Sequence, residues 1–269
     1  MRIATLGPEG TFSHEASLKY GKSSPISFAN TIRDVFGLVA DGKADIGIVP
    51  VENSIAGTIG QTLDLLLDYK LMIKAEEIMP ISHNLVGFGR ASEIKVLYLH
   101  PQTYEQCEIF IKKNFPKAEI LQTSSNGRSA EIVANAKDKS KASIIPKIAA
   151  SIYKLKILKR DVQDSRFNVT RFFAIGRNDG KKTGYDRTSI AIYPQADRPG
   201  LLHEMLGEFA KRRINLTKIE SRPSKGKLGD YVFFIDFQGH RAEKNSADAL
   251  KNLEKNFFVK ILGSYPRKY

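Results

Sequence analysis

Two successive runs of alternating strand and helix patterns constrain the fold of this chain more than any other feature of its sequence. The first run opens with a buried strand pattern, RIATLG, and contains a helix that starts at Thr31 with Asp34 three residues later, a capping-box variant. The second run starts near residue 80 and contains the strand patterns KVLYLH, AEILQT and ASIIP, separated by helical patterns. Strands that alternate with helices predict mainly parallel α/β sheets, so the sequence indicates two α/β lobes.

The pattern changes after the polar segment RNDGKKTGYDR, which contains two glycines and has no apolar periodicity. The elements that follow are strand, helix, strand, strand, helix and strand, with a predicted turn at SKGKLG, which is typical of a ferredoxin-like βαββαβ unit. The strand VTRFFAIG comes after both α/β runs and can return to the first lobe. We therefore expect a first domain over 1–178, with one lobe at about 1–78 and 168–178 and the other at about 79–167, a linker over 179–187, and a last domain over 188–269.

Composition excludes several classes of protein. The chain has 269 residues, of which 42% are hydrophobic, and this is ample for a sizeable core. It contains no stretch near the roughly 18 to 20 apolar residues of a membrane span and no signal-peptide pattern, so we expect no membrane partner. The single cysteine, Cys107, fits a reducing cytoplasm and is expected to be a packed thiol instead of a nucleophile.

The net charge and the absence of known binding motifs limit the kinds of ligand that we expect. The net charge is +13, but the excess is spread along the chain and its lysines lie among acidic residues, so we expect no nucleic-acid partner. A mild positive field can still attract small anions. Neither a dinucleotide-binding glycine loop nor a phosphate loop occurs, and the five histidines show no metal-ligand spacing. We therefore expect no cofactor and no metal.

Four segments at predicted strand ends are candidates for a site. Three of them, GPEGTFSHEA, VPVENSIAGT and TSSNGRSAE, place glycine and hydroxyl residues just before a helix, and Ser13 is expected to cap the first helix. Free amides at a helix N-terminus bind carboxylate or phosphate, although serine and threonine are also ordinary caps. The fourth segment contains Arg171, which needs either a ligand or an ion pair because an unpaired buried charge is costly.

The segments GPEGTFSHEA, VPVENSIAGTI, ISHNLVG, VQDSRFNVTRF and DRPGLLHEMLGEFAKRRINLTKIESRP, in this order, resemble the prephenate dehydratase family with its C-terminal ACT regulatory domain. The resemblance covers essentially the whole chain. It implies a two-lobed, periplasmic-binding-protein-like (type II) catalytic domain of the α/β class, followed by a ferredoxin-like ACT domain. The activity it implies is conversion of prephenate to phenylpyruvate, CO2 and water in L-phenylalanine biosynthesis.

The resemblance also implies roles for individual residues. Arg171 is expected to meet a substrate carboxylate, and Thr170 to donate a proton or a hydrogen bond to the leaving hydroxyl of prephenate. The remaining residues expected to bind substrate are Ser13, Asn53, Ser54, Ser124, Ser125, Asn126 and Phe172. The sequence Asn126-Gly127-Arg128 departs from the Ser/Thr-rich loop that the family has at this place.

In the ACT domain, the resemblance implies an effector site for L-phenylalanine at a dimer interface, feedback inhibition and a homodimer or homotetramer. The residues expected to bind the effector are Pro199, Gly200, Leu201, Leu202, Glu220, Ser221, Arg222 and Pro223. The family usually has alanine where this chain has Leu201. Two alternatives stay open: a dehydratase that uses arogenate, and a non-enzymatic amino-acid-binding regulator, against which the intact Thr170–Arg171 pair argues.

Overall fold

A computed structural model describes residues 1–194, 198–224 and 230–269 of the chain. The strands in chain order are β1 Ile3–Leu6, β2 Ile26–Ala29, β3 Ile46–Asn53, β4 Gly57–Thr58, β5 Met72–Pro80, β6 Asn84–Gly87, β7 Val96–Leu99, β8 Glu119–Gln122, β9 Lys141–Ile145, β10 Lys156–Lys159, β11 Val169–Gly176, β12 Asp186–Pro194, β13 Leu216–Pro223, β14 Tyr231–Gln238 and β15 Phe257–Pro266. The α-helices are α1 Phe12–Tyr20, α2 Ile32–Ala40, α3 Gly60–Asp68, α4 Pro101–Gln106, α5 Glu108–Asn114, α6 Asn126–Ala136, α7 Lys147–Ile152, α8 Leu201–Ala210 and α9 Lys244–Leu253.

These strands form two α/β sheets and a third sheet near the C-terminus. The first sheet has the order β2-β1-β3-β11-β5, with β4 paired to β3. The second has the order β10-β6-β9-β7-β8, in which β7 runs parallel to both β8 and β9. Strand β11 is buried over almost its whole length because its side chains Phe172, Phe173, Ala174 and Ile175 are all apolar. The predicted α/β class is confirmed.

The C-terminal part forms the predicted βαββαβ unit. Its antiparallel sheet has the order β13-β14-β12-β15, with β12 between β14 and β15. Helices α8 and α9 cover this sheet through a core that includes Met205, Phe209, Phe237 and Leu253. Residues 225–229 of the predicted SKGKLG turn lie outside the described residues.

The chain divides into two compact units. The first unit consists of Met1–Val35, Ile48–Ile59 and Ile78–Phe172, and the second of Phe36–Gly47, Gly60–Glu77 and Phe173–Tyr269. The first unit contains the whole second sheet, and the second unit contains the whole C-terminal sheet. Each unit therefore has a complete sheet around which a core can form.

Local hydrogen bonds show why three helices begin where they do. Helix α2 has the predicted box, since the backbone N–H of Asp34 donates to the Thr31 hydroxyl and that of Thr31 donates to the Asp34 carboxylate. Helix α1 is capped by Thr11, which accepts from the backbone N–H of His14, so the prediction of Ser13 as the cap was wrong. Helix α6 is capped by Ser125 and begins at Asn126, so Gly127 lies inside the helix, whereas the sequence predicted that the glycine of this segment precedes it.

Candidate active site

The first unit contains a cavity of about 230 Å³ at the ends of strands from both α/β sheets. Its walls come from the segments that follow β1, β7 and β8, and from residues of β3 and β11. The lining residues are Leu6, Gly7, Thr11, Phe12, Ser13, Pro50, Asn53, Ile59, His100, Gln102, Ser124, Ser125, Asn126, Thr170 and Phe172. The cavity therefore combines apolar walls with hydroxyl, amide and imidazole groups, as small-molecule sites do.

Three helices of the first unit begin at this cavity. Phe12 starts α1, Asn126 starts α6 and His100 directly precedes α4, and all three residues line the cavity. The first turn of a helix carries backbone N–H groups without intrahelical partners and a partial positive charge. Negatively charged groups are therefore favoured here without a cationic side chain.

Asn53 holds the hydroxyl of Thr170 at the cavity wall. The Asn53 Nδ2 atom donates to Thr170 Oγ1 over 2.9 Å. The orientation of the Asn53 amide is fixed because its oxygen accepts from the backbone N–H groups of Ile55 and Ala56, 3.0 and 2.8 Å away. Since Thr170 Oγ1 already accepts a hydrogen bond from Asn53, its own proton is available for an acceptor in the cavity.

Arg171 faces away from the cavity, which differs from the expectation that it meets a substrate carboxylate. Successive side chains of a strand point to opposite faces, so Arg171 cannot share the face on which Thr170 and Phe172 line the cavity. Its side chain is 4% exposed, and its Nη1 lies 3.7 Å from Oε2 of Glu52. The geometry therefore gives Arg171 a buried ionic contact beside the cavity wall.

Ser54 also lies outside the cavity wall. Its hydroxyl donates to the carbonyl of Phe167 over 2.8 Å and accepts from the backbone N–H of Val169 over 2.9 Å. These bonds tie the loop after β3 to the start of β11. Ser54 thus supports the segment that carries Thr170, while the other six residues expected to bind substrate, Ser13, Asn53, Ser124, Ser125, Asn126 and Phe172, line the cavity.

The unusual sequence Asn126-Gly127-Arg128 has a local explanation. A Cβ atom at Gly127 would lie 2.4 Å from the carbonyl oxygen of Glu9, so only glycine allows the first turn of α6 to approach the loop before α1 this closely. The Asn126 amide oxygen accepts from the hydroxyl of Thr103 over 2.7 Å. The N-termini of α1, α4 and α6 are thereby brought together at the cavity.

His100 lines the cavity although it was not among the residues expected to bind substrate. Burial lowers the pKa of its imidazole, and the nearby Glu105 opposes this only in part, so the ring is neutral near pH 7. Among the lining residues that the structure describes, none carries a formal positive charge. Thr11, Phe12, Gln102 and Ile59 were likewise not predicted; only their nearness to the expected loops hinted at them.

Other residues considered from the sequence lie elsewhere. Burial raises the pKa of the Cys107 thiol to about 12, and the residue packs in a core with Leu97 and Ile111, as expected for a packed thiol. Within residues 1–194, 198–224 and 230–269, no three acidic, histidine or cysteine side chains are grouped so that they could hold a metal ion. No helix of the described chain is long and apolar enough to cross a membrane.

The residues expected to bind an effector lie in the second unit. Gly200 precedes α8 with a φ of +84°, Leu201 is buried and Leu202 is partly exposed. On β13, the Arg222 guanidinium contacts the Asp64 carboxylate of α3 at 3.3 and 3.4 Å. A Cβ atom at Gly60 would lie 2.3 Å from Arg222 Nη1, so the guanidinium packs directly against the first residue of α3.

Comparisons with known proteins agree with this architecture. The prephenate dehydratase family model matches residues 3–180, and the ACT domain model matches residues 195–255. A bifunctional chorismate mutase/prephenate dehydratase from Aquifex aeolicus is 42% identical over 99% of this chain and 74% of its own length. A prephenate dehydratase from Methanocaldococcus jannaschii is 39% identical over 96% of both chains. The crystal structure of a prephenate dehydratase from Arthrobacter aurescens in complex with L-Phe superposes with a TM-score of 0.92 at 32% identity, covering 99% of this chain and 90% of that one.

Proposed function

The chain belongs to the prephenate dehydratase family and carries an ACT domain, and on that premise we propose that the cavity around Thr170 converts prephenate to phenylpyruvate, CO2 and water. The observation that carries this assignment is the Thr170 hydroxyl, which Asn53 holds at the wall of a cavity where three helices begin. We further propose that the reaction takes place in the cytoplasm, which fits the buried free thiol of Cys107.

Thr170 donates a hydrogen bond or a proton to the leaving hydroxyl group. In the reaction, the bond between the ring and one carboxylate breaks, and its electron pair enters the ring as CO2 departs. The carbon–oxygen bond at the opposite ring position breaks, and the hydroxyl leaves with one proton as water. A threonine hydroxyl is a weak acid, so its hydrogen bond to the developing hydroxide and its fixed position contribute more than full proton transfer.

The hydrogen bond from Asn53 increases the donor strength of Thr170. An oxygen that accepts a hydrogen bond becomes a better donor through its own proton, because neighbouring hydrogen bonds polarise one another. Thr170 is 8% exposed and Asn53 is 4% exposed, so bulk water competes little for either group. The pair therefore directs one hydroxyl proton into the cavity.

The two negative charges of prephenate are met by backbone amides and neutral side chains. Ser124, Ser125 and Asn126 stand at the N-terminus of α6, and Thr11 and Ser13 at that of α1. Each such terminus has N–H groups and a partial positive charge that favour a carboxylate. Phe172 and Phe12 add apolar surface for the ring of the substrate.

The ACT domain is proposed to bind L-phenylalanine and to inhibit the reaction. The Arthrobacter aurescens relative was crystallised with L-Phe. In this chain, Arg222 of the proposed effector site contacts Asp64 and Gly60 of α3, and Ile59 directly before α3 lines the cavity. An effector that shifts Arg222 can therefore displace the N-terminus of α3, provided that it binds one state more tightly than the other.

The proposed assembly is a homodimer or homotetramer formed through the ACT domain. Strand β13 lies at the edge of its sheet and exposes Ile219, and the neighbouring β14 exposes Tyr231. An edge strand with exposed apolar side chains is suited to pairing with a second copy. Sedimentation velocity with and without L-phenylalanine tests this assembly, and a monomer at micromolar concentration in both conditions contradicts it.

The assay is phenylpyruvate formation from prephenate by the purified protein, comparing the parent with Thr170→Val. Valine has the shape of threonine without its hydroxyl, so kcat should fall about 100-fold or more while KM changes little. Thr188→Val is the matched control, because that buried hydroxyl bonds to Gly239 and Ser264 in the second unit. Near-normal turnover in Thr170→Val refutes the role of Thr170. If the parent protein turns over arogenate but not prephenate, the substrate is arogenate. If it turns over neither compound, the result supports a non-enzymatic amino-acid-binding regulator.

A further inference from the structure

A line of buried amide and imidazole groups leads from Thr170 into the interior of the first unit. Asn53 Nδ2 donates to Asn168 Oδ1 over 2.7 Å, and Asn168 Nδ2 donates to Gln106 Oε1 over 2.8 Å. His83 Nε2 lies 2.8 Å from the same Gln106 oxygen. Each of these four side chains is at most 9% exposed, and only Asn53 among them lines the cavity.

The donor and acceptor of every hydrogen bond in this line can be assigned by starting from Asn53, the residue that lines the cavity. Two backbone N–H groups fix the Asn53 oxygen, so its nitrogen must face Asn168 and Thr170. Asn168 must then accept with its oxygen and donate with its nitrogen to Gln106. The Gln106 oxygen therefore accepts at this end, and His83 can only be a donor to it.

His83 completes the line as a neutral imidazole with its proton on Nε2. Its Nδ1 is buried and has no hydrogen-bond partner among the described residues, so a proton on that atom would be an unsatisfied buried donor. Burial lowers the pKa of the ring, an effect that the hydrogen bond to Gln106 and the neighbouring His100 modify. The charged form is disfavoured, and one tautomer agrees with all the contacts.

We propose that His83, Gln106 and Asn168 are positioning residues that act through Asn53 to hold the Thr170 proton in the cavity. The inference rests on the proposed function of Thr170. Without the His83 donor, the Gln106 amide can rotate and offer its nitrogen to Asn168. The Asn168 amide must then also rotate, so that its oxygen accepts from Gln106. Its nitrogen would then face the Asn53 nitrogen, and two donors would oppose each other. The Asn53 bond to Thr170 is the last link to be disturbed.

A packing role for His83 is the competing explanation, and it makes a different prediction. The His83 ring contacts Phe12 edge to face, with ring centroids 5.4 Å apart, and Phe12 lines the cavity. If His83 only supported Phe12, an aromatic replacement would preserve activity and an amide would not. If His83 acts as a donor, the reverse holds.

The test compares His83→Phe with His83→Gln in the full-length protein, using phenylpyruvate formation from prephenate. Phenylalanine keeps the aromatic contact and removes the donor, whereas glutamine keeps an N–H donor and removes the ring. Loss of one net hydrogen bond corresponds to about a tenfold fall, so kcat of His83→Phe should fall about tenfold with KM nearly unchanged. His83→Gln should stay within about threefold of the parent. His240→Phe removes a buried histidine of the second unit and should leave kcat unchanged.

The opposite order of the two His83 variants, equal losses in both, or no loss in either overturns the proposal. The tautomer of His83, read from ¹H–¹⁵N spectra of histidine-labelled protein, is an independent measurement that needs no substitution. A proton on Nε2 supports the line of donors, and a proton on Nδ1 overturns it. If the parent protein does not turn over prephenate, the proposed function fails instead, so the two failures are distinguishable.

Discussion

Replacing Asn53 by aspartate should withdraw the Thr170 proton from the cavity without removing Thr170. An aspartate oxygen would occupy the place of Asn53 Nδ2, which lies 2.9 Å from Thr170 Oγ1. Two oxygens at that distance need a hydrogen between them, and the Thr170 hydroxyl can supply it. The other aspartate oxygen still accepts from the backbone N–H groups of Ile55 and Ala56, so the turn after β3 is preserved.

The size of the effect follows from the bond that the substitution creates. A hydrogen bond to a charged acceptor contributes about 1.5 to 3 kcal/mol, and this is the free energy needed to return the proton to the cavity. At about 1.4 kcal/mol for each factor of ten, kcat of Asn53→Asp should fall about 10- to 150-fold. The introduced carboxyl also faces Asn168 Oδ1, which lies 2.7 Å from the present nitrogen, and this adds to the loss.

The assay is steady-state phenylpyruvate formation by Asn53→Asp in the parent and in Thr170→Val. If Asn53 acts through Thr170, adding Asn53→Asp to the Thr170→Val variant should lower kcat by less than about threefold. The effects of coupled residues are not additive, so the second change has little left to remove. Lower pH should restore part of the loss in the parent background, since a protonated carboxyl can donate again. An equal loss in both backgrounds refutes the reasoning, because Asn53 would then act through folding or substrate binding.

Three further predictions concern regulation and stability. Asp64→Asn should weaken inhibition by L-phenylalanine several-fold without changing kcat in its absence, which a titration of activity against effector checks. Arg187→Met leaves the buried Glu76 carboxylate without its 2.6 Å ionic partner and should lower the free energy of unfolding by about 3 to 5 kcal/mol, and adding Glu76→Leu should recover most of this loss in a denaturant titration. The pKa of His83 lies below its unfolded value of 6.5, so the unfolded chain gains a proton first as pH falls. Stability should therefore decrease below pH 6.5 by up to about 1.4 kcal/mol per pH unit, and denaturation at several pH values should give a shallower decrease for His83→Phe.

The sequence predicted the elements of the fold well because their signals are local. Strand β11 and the box at the start of α2 were read from residues within one element. The cap of α1 was misplaced because Thr11 and Ser13 are both capping residues two positions apart, and only the position of the backbone N–H of His14 decides between them. The early start of α6 depends on the close approach at Gly127, which is a tertiary contact.

The candidate site was predicted in part. The hydroxyl residues at helix starts were found because capping and anion binding require the same residue types. The orientation of Arg171 could have been predicted from the same sequence, since the alternation of a strand already separates it from Thr170. The line through Asn168, Gln106 and His83 could not, because it joins segments far apart in the chain and depends on side-chain orientation.

The neutral lining of the cavity suits the chemistry proposed for it. An arginine that formed a bidentate pair with the departing carboxylate would stabilise its negative charge with hydrogen bonds about twice as strong as neutral ones. That charge leaves the carboxylate as CO2 forms, so such a contact is lost in the transition state and raises the barrier. In the proposed function, helix N-termini and the neutral His100 would hold both carboxylates with weaker, more diffuse fields, and the Thr170 hydroxyl would meet charge that develops only as the reaction proceeds. Arg171, paired with Glu52 on the other face of β11, can brace the strand that carries Thr170 without opposing the loss of CO2.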